Sequence, residues 1–475
     1  MASKLRVGAW LGLVCSAVVI ACVGSDPDPG TTPPADGGGG GSDTSTPTND
    51  ANVVEDTGGG DATKSAVPTI DVASGDAFAC AVRENGTVVC WGDNKLGQTG
   101  QPLAGGATCD GDPCRVPTAV SGITDATRIA AGPHQACAVT KTGKVLCWGN
   151  NDFGVLGHAS VNDTTCDTNR LCAFSPVEVP GVTDAVGVVL GRYLGCAWNA
   201  AGNVMCWGSN AVGGLARGTN SDTILTPAKS TAFDTNGATA MAVDAYGTGH
   251  VCAVRADGTV SCWGRNSASE VGKAAAGSPF CAHTIGGGTG EKCENAPLAV
   301  KNLSNVNIGN VTSVAATDGA TCVSSAGDVY CWGYHGHGIA SVPDSSDAQM
   351  PVVRPGLAGL SKLSGAFTHA CGLTAANEVK CWGVNNLLQL GVPSNVTNNT
   401  ACAGSTPCST TPIVVAGVTA KKVSASIDMT TALTVDGKVL AWGSNRRAQL
   451  GHLPATGETG CIYPCTATPQ EVVMP

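Results

Sequence analysis

This 475-residue chain lacks helical periodicity, a basic cluster, a membrane-length apolar run and any recognisable catalytic constellation. Each absence excludes something. Apolar residues nowhere recur at helical spacing, while short β-rich runs alternate with Gly, Asn, Asp and Pro turns, so the chain reads as all-β. The net charge is −10 and lysines and arginines are scattered, which argues against nucleic acid as a partner. The apolar run at residues 7–21 is too short to span a bilayer comfortably. No Ser-His-Asp set, glycine-rich phosphate loop or isolated carboxylate dyad emerges, so no enzyme activity and no cofactor are expected.

Aromatic residues make up only 4% of the chain, which makes their regular use informative. A Trp-Gly pair recurs at Trp91, Trp148, Trp207, Trp263, Trp332, Trp382 and Trp442. Self-similarity at such a period signals a repeat architecture. Each copy reads as a β-hairpin, as in Cys137-Ala-Val-Thr-Lys-Thr-Gly-Lys-Val-Leu-Cys147-Trp148-Gly149. The turn residue is Gly86, Gly143, Gly202, Gly258, Gly327, Asn377 or Gly437, all types that tolerate positive φ.

A three-residue loop ending in that glycine makes Arg83 face Thr87, and counting outward makes Cys80 face Cys90. The same count pairs Cys137 with Cys147, Cys196 with Cys206, Cys252 with Cys262, and Cys371 with Cys381. Cys322 and Cys331 are one residue closer and need a two-residue loop. Directly opposed residues lie within disulfide reach. The seventh copy has Thr431 and Ala441 at the two positions, so both cysteines are absent together, as a disulfide requires.

Five further pairs lie in the connections beyond Trp-Gly: Cys109/Cys114, Cys166/Cys172, Cys281/Cys293, Cys402/Cys408 and Cys461/Cys465. Setting aside Cys15 and Cys22, every cysteine then has a local mate. Zinc is the competing reading, but doubled Cys-x-x-Cys spacing is absent and an exported chain meets an oxidising compartment.

Export is suggested by the N-terminus, where Lys4 and Arg6 precede the apolar run. The run ends Val19-Ile20-Ala21-Cys22, which resembles a bacterial lipobox and makes Cys22 the expected lipid attachment site; ordinary signal cleavage nearby is the alternative. Residues 1–21 are thus the expected lipoprotein signal, and 22–65 an acidic Gly/Pro/Ser/Thr-rich tether that cannot bury enough surface to order. Residues 66–475 remain for the folded domain.

Beyond the hairpin each repeat holds two strand candidates. One opens with proline, as in Pro117-Thr-Ala-Val, Pro176-Val-Glu-Val and Pro469-Gln-Glu-Val-Val. The other precedes the hairpin, as in Thr127-Arg-Ile-Ala-Ala-Gly132. Four short strands repeated radially make propeller blades. If the Pro-strand is first in each blade, the chain enters at Thr69 without one and ends on a spare one. The expectation is that Gln470 to Val473 pair beside Ile70 to Ala73, so that the terminal strands share one blade.

The order of these elements, with Gly132-Pro-His134, Thr368-His369, Gly149-Asn-Asn-Asp-Phe-Gly-Val-Leu-Gly157 and Gly443-Ser-Asn-Arg-Arg-Ala-Gln-Leu-Gly451, resembles the regulator of chromosome condensation repeat family. The resemblance covers the whole domain and implies a seven-bladed β-propeller with four-stranded blades. The cysteine pairs are departures from the family's general pattern. In the animal member, corner residues like His134, His250 and His369 contribute to nucleotide exchange on a nuclear GTPase; an exported chain would not meet that partner, and a scaffold role, side-chain hydrogen bonding to backbone at the blade corner, is favoured.

His335 and His337 are the only close histidine pair, and without an identifiable third ligand metal binding is disfavoured. The Trp residues read as anchors between blades. The long disulfide-bearing loops should project from one face, either as preorganised binding loops or as loops stapled against proteases. The functional expectation is a monomeric, lipid-anchored binding module for an unidentified envelope or extracellular protein or glycan, with outer-membrane placement. The alternatives are a secreted enzyme inhibitor, since a bacterial β-lactamase-inhibiting protein shares this repeat fold, and an enzyme using the channel.

Overall fold

Alternating small and branched apolar residues on both sides of a Gly turn make each hairpin two strands buried on both faces. The computed structural model describes residues 67–475 except 160–162, 168–169, 220, 245–248, 282–289, 341–347, 397–401, 403–405, 456–457 and 459–460. The expected signal, Cys22 and the tether lie outside the described residues.

In the first blade, β1 (Thr69–Ser74), β2 (Phe78–Arg83), β3 (Val88–Asp93), β4 (Ala107–Cys109) and β5 (Asp112–Ala119) form one antiparallel sheet in the order β1-β2-β3-β5-β4. Six further sets repeat the inner strand, hairpin and outer strand. The single strand Cys408–Ala425 serves as outer strand of the sixth blade and, after a shift, inner strand of the seventh. The seven inner strands line one channel, at residues 72–74, 129–132, 188–190, 241–243, 314–316, 363–366 and 422–425, around a cavity of about 260 Å³. This is the seven-bladed propeller.

Hairpin register follows the cysteine count. Cys80 lies opposite Cys90, with Cα atoms 4.1 Å apart, and Cys137–Cys147, Cys196–Cys206, Cys252–Cys262 and Cys371–Cys381 repeat the arrangement. Cys322 meets Cys331 across a two-residue turn in which Ala326 and Gly327 both have positive φ, the type I′ geometry.

The five pairs beyond Trp-Gly are bonded as well, but their placement in the connecting loops needs correction. The second cysteine of each pair stands in the outer strand. Cys114 lies opposite Asp93, Cys172 opposite Asn150, Cys293 opposite Arg265, Cys408 opposite Val384 and Cys465 opposite Ser444. The physical reason is that the proline does not open this strand. It falls where the register shifts, so its missing N–H breaks no ladder bond and pairing resumes ahead of it. Cys293 thereby opens the strand Cys293–Ala299 and is buried, while its mate Cys281 remains in the loop, 5.4 Å away between Cα atoms.

The Pro-strand expectation also fails in its order. Each Pro-strand follows its hairpin instead of preceding it: Cys90 pairs with Thr118, and Cys147 with Val177. The C-terminal strand Cys465–Glu471 therefore completes the seventh blade, with Glu471 opposite Leu440, and does not pair beside β1. The terminal strands do not share a blade. Ring closure instead joins two complete blades: the Thr69 amide donates to the Gly437 carbonyl (3.0 Å), the Ser74 and Thr431 hydroxyls hydrogen-bond (2.7 Å), and Lys422 meets Asp71 (2.5 Å).

The glycine of Trp-Gly is fixed by sterics. Gly149 has φ of 99°, and a Cβ there would stand 2.5 Å from the His134 carbonyl oxygen. The preceding Trp is fully buried in every blade and anchors adjacent blades. Trp148 donates its indole N–H to the Gln98 carbonyl of the blade before it (3.0 Å), and Trp207, Trp263, Trp332 and Trp442 do likewise to Val155, Gly214, Glu270 and Gln389. Trp91 donates to Gln449 (2.9 Å), so the same contact closes the ring.

An asparagine holds the accepting loop in six of the seven blades. Asn151 Oδ1 accepts the Leu156 amide, and Asn94, Asn210, Asn266, Asn385 and Asn445 do the same in their loops. The fifth blade has His335 at this position. There the Ile339 carbonyl accepts from Arg354 (2.7 Å), and the buried indole nitrogen of Trp382 has no partner among the described residues.

Trp148→Phe and Trp382→Phe remove similar volume, but only the first breaks a hydrogen bond and strands a carbonyl. Urea unfolding should show Trp148→Phe to be more destabilising by about 1 kcal/mol or more. Equal losses would mean that the indole contact contributes nothing beyond packing.

Candidate functional site

Antiparallel order places the corner between β1 and β2 at the same end of the blade as the connection from β3 to β5. Repeated around the ring, this gathers the inner corners and all five disulfide-bearing loops on one face. The hairpin turns occupy the other. Cys109–Cys114 closes a small hairpin of β4 and β5, and Cys166–Cys172 ties Thr164–Asp167 to its neighbour in the second blade. Cys281–Cys293 ties the loop around Phe280 to the start of its outer strand.

Apolar side chains tip several of these loops. Ile462, inside the Cys461–Cys465 ring, is 88% exposed, and Phe280, beside Cys281, is 66% exposed with Lys292 Nζ 3.4 Å from its ring centroid. Tyr463 is covered by the Arg446 guanidinium at 4.2 Å. Charged contacts bind neighbouring loops together: Arg447 reaches Asp112 (2.6 Å) across the seam, and Arg265 stands 3.6 Å from Glu270, 3.7 Å from Glu291 and 3.8 Å from Asp318 of the next blade.

The inner corners carry groups that sequence reasoning missed. Asp76, Arg192, Asp318 and Asp428 occupy the short turns between inner strand and hairpin, where one or two residues follow the small residue ending the strand. The signal was available as a recurrent charge at that offset, hidden because its sign changes from blade to blade. Burial, followed by repulsion from Asp428 and Asp93, pushes the Asp76 carboxyl up to about 7. Burial likewise pushes Asp428 up to about 6 and raises Asp93.

The three corner histidines separate into two groups. His250 and His369 are fully buried, and each Nε2 lies 2.8 Å from a threonine hydroxyl of the following blade, Thr321 or Thr430. Those hydroxyls donate to the Glu270 and Gln389 carbonyls, which also accept the Trp332 and Trp442 indoles. Each histidine Nε2 must therefore carry the proton it shares with the threonine. Burial lowers both rings to about 3, so they are neutral struts. A scaffold role in hydrogen bonding holds, but the expected partner, backbone at the blade corner, is replaced by a threonine hydroxyl of the next blade.

His134 is offset by one residue. Gln135 fills the strut position and donates to the Gly191 carbonyl (2.6 Å), leaving His134 half-buried at the channel mouth. Burial and then the positive charges of Arg170 and Arg192 lower its ring to about 4.

His335 and His337 do not converge. They flank Tyr334, with ring centroids 5.7 and 5.2 Å away, and His337 lines a surface cavity whose lining does not include His335. Among the described residues no three His, Cys, Asp or Glu side chains gather as a metal site.

Two models of the regulator of chromosome condensation (RCC1) repeat match the chain, one at residues 70–98, 126–155 and 243–269, the other at 142–198. The chain is similar to the ultraviolet-B receptor UVR8 of Arabidopsis thaliana, 25% identical over 394 residues, spanning 80% of this chain and 78% of the receptor. Human WBSCR16 has the same fold, with a TM-score of 0.61 at 20% identity over 78% of this chain and 88% of its own. Yeast RCC1 (Prp20), solved with Kap60 bound, gives 0.60 at 17% identity over 86% and 84%. Prp20p of Saccharomyces cerevisiae has been characterised for binding to Gsp1p and histones.

The raised carboxyls predict a pH dependence. Asp76 titrates at about 7 in the folded chain against 3.8 for a free side chain, so the folded state holds the proton more tightly. Its stabilising contribution is complete below about pH 4 and is lost as pH rises through 7. Asp76→Asn, which mimics the protonated acid, should narrow the fall in Tm between pH 5 and 8 by about 2 °C or more. An unchanged pH profile in calorimetry would refute this assignment.

Proposed function

We propose, from the premise that this chain is a propeller of regulator of chromosome condensation repeats and so a protein-binding module in kind, that it is exported, lipid-anchored through Cys22, and binds an envelope protein or glycan with its stapled-loop face. The observation that carries this reading is the placement of five disulfide rings on the single face that also holds the charged inner corners. A disulfide between cysteines four to twelve positions apart restricts a loop before it meets a ligand, which reduces the entropy lost on binding. Loops needed only to connect strands would be shorter. Exposed apolar tips such as Ile462 add area that contact with a partner would bury.

Export is supported by the pairing of 22 cysteines into eleven local bridges, a usage suited to an oxidising compartment, and by the lipobox-like end of the N-terminal apolar run. The partners of Prp20p stay with Prp20p. A chain displayed outside the cytoplasm needs a different one, so the corner residues are assigned to a common binding face and not to nucleotide exchange.

A photo-crosslinking phenylalanine at Ile462 tests the face, with one at Val435 in a hairpin turn on the opposite face as control. Ultraviolet irradiation in envelope extract should yield a discrete adduct from position 462 and none from 435. No adduct at 462, or the same adduct from both, would overturn the face assignment. If the adduct is an enzyme that loses activity on binding, the inhibitor reading is selected. Separately, Cys22→Ser should abolish lipid labelling and release the chain to the soluble fraction; retention in the membrane fraction would refute the anchor.

A further inference from the structure

The fifth blade breaks the loop pattern kept by the other six, and a cavity of about 330 Å³ lies where it does so. Six blades place asparagine after Trp-Gly; this one reads Tyr334-His335-Gly336-His337-Gly338, with His335 at the asparagine position and an unchanged spacing to the positive-φ residue Gly338. A Cβ on Gly336 would fall 2.1 Å from the Tyr334 hydroxyl, and one on Gly338 would stand 2.9 Å from Cys402 Sγ. Both glycines are therefore needed for Tyr334 to fold back and for the neighbouring disulfide to approach. In the altered loop the Ile339 carbonyl accepts from Arg354, and the buried Trp382 indole is left without an acceptor among the described residues.

What the loop builds is one wall of the cavity. His337 and Phe367 line it with ring centroids 5.7 Å apart, while Tyr334 packs edge-on behind His337 at 5.2 Å. Val384 and Ile427 supply apolar surface, and Asp428 is the one carboxylate among the lining residues. The Asp428 carboxyl makes no hydrogen bond or ion pair among the described residues. Arg446, the cation that acts on it, is drawn aside by Asp110 and the Tyr463 ring. Beyond Asp428 lies Asp76, which burial keeps largely protonated below about pH 7, and beyond His337 lies Asp318, which faces Arg265 at 3.8 Å, so Asp428 is the charge the pocket presents. Burial keeps His337 below its ordinary range, so it presents a neutral aromatic ring instead of a competing cation.

A half-buried, unpaired carboxylate beside aromatic rings, in a cavity of ligand size, is the chemistry that recognises an organic cation. We propose that this pocket binds an alkylammonium group, held by charge at Asp428 and by the rings of His337 and Phe367. The group could be the head of a free quaternary amine or the side chain of a lysine presented by a bound protein. The inference does not rest on export or on the crosslinked partner, so either reading can fail alone.

Calorimetric titration of the full chain tests it with four probes: choline, its neutral isostere 3,3-dimethylbutan-1-ol, a short lysine peptide and the same peptide with norleucine. At least one cationic probe should bind and its neutral counterpart should bind about tenfold more weakly or not at all. Asp428→Asn, which keeps the shape, should weaken the cation by about tenfold, and Phe367→Leu should weaken it severalfold. Asp436→Asn on the opposite face should change nothing. Binding of choline alone identifies a small amine as the source, and binding of the lysine peptide alone identifies a protein side chain. Equal binding of charged and neutral probes, no binding of either cation at millimolar concentration, or full affinity in a folded Asp428→Asn variant would overturn the proposal.

Discussion

The indole-to-carbonyl contact between blades is the constraint on which the ring depends. A blade buries both faces of its middle strands, so each sheet must find a neighbour on either side, and the Trp after the hairpin supplies the contact in both a packing and a hydrogen-bonding sense. Six of seven indoles reach the carbonyl of the preceding loop, and asparagine in that loop presents the carbonyl. His250 and His369 extend the arrangement through a threonine hydroxyl, so one carbonyl accepts from both a Trp and a Thr of the next blade. These contacts are buried, where a missing partner costs most.

The seventh blade shows how the ring closes without an exchanged strand. Its hairpin lacks the disulfide, and Thr431, standing at the cysteine position, instead contacts Ser74 of the first blade. Trp91 repeats the common contact with Gln449, and Val472 packs with Val72 and Trp91 in one apolar cluster. The paired absence of cysteines at Thr431 and Ala441 thus marks the seam as well as the missing bridge. Closure rests on side chains and packing, and each terminal blade is complete in its own sheet.

Much of this was legible because it depends on short-range geometry. The hairpin count from Gly86 outward determines which cysteines meet, and a period-two strand leaves no alternative once the turn is known. Seven Trp-Gly pairs likewise announced seven blades. The Pro-strand was misplaced because order along a cyclic repeat does not say where a blade begins. Pro117 is near Thr127 in sequence but far from Asp93, and proximity suggested the wrong neighbour. Pairing is decided instead by the long disulfide-closed loop, which returns the chain to the free edge of β3. Cys114 and Cys293 belong to that returning strand, and taking proline as its first residue hid them in the loop. The corners were illegible for a different reason: Asp76, Arg192 and Asp428 look like ordinary turn residues until the ring brings them to one mouth.

A repeat scaffold also tells where to look for function, since what all blades share is spent on standing together. Differences carry the specific chemistry. The second blade puts His134 where others put charge, and the fifth exchanges asparagine for His335 and gives up the Trp382 hydrogen bond. That loss is tolerable locally because Cys322–Cys331 and Cys371–Cys381 hold the hairpins on either side of the joint. The disulfides thus do two separate things. In the hairpins they make single blades robust enough to absorb a broken contact, and in the loops they hold varied sequence in a fixed shape on one face. A chain with few charges and few aromatic residues can present a defined binding surface in this way, because the order it needs comes from covalent closure and ring geometry more than from a dense network of side chains.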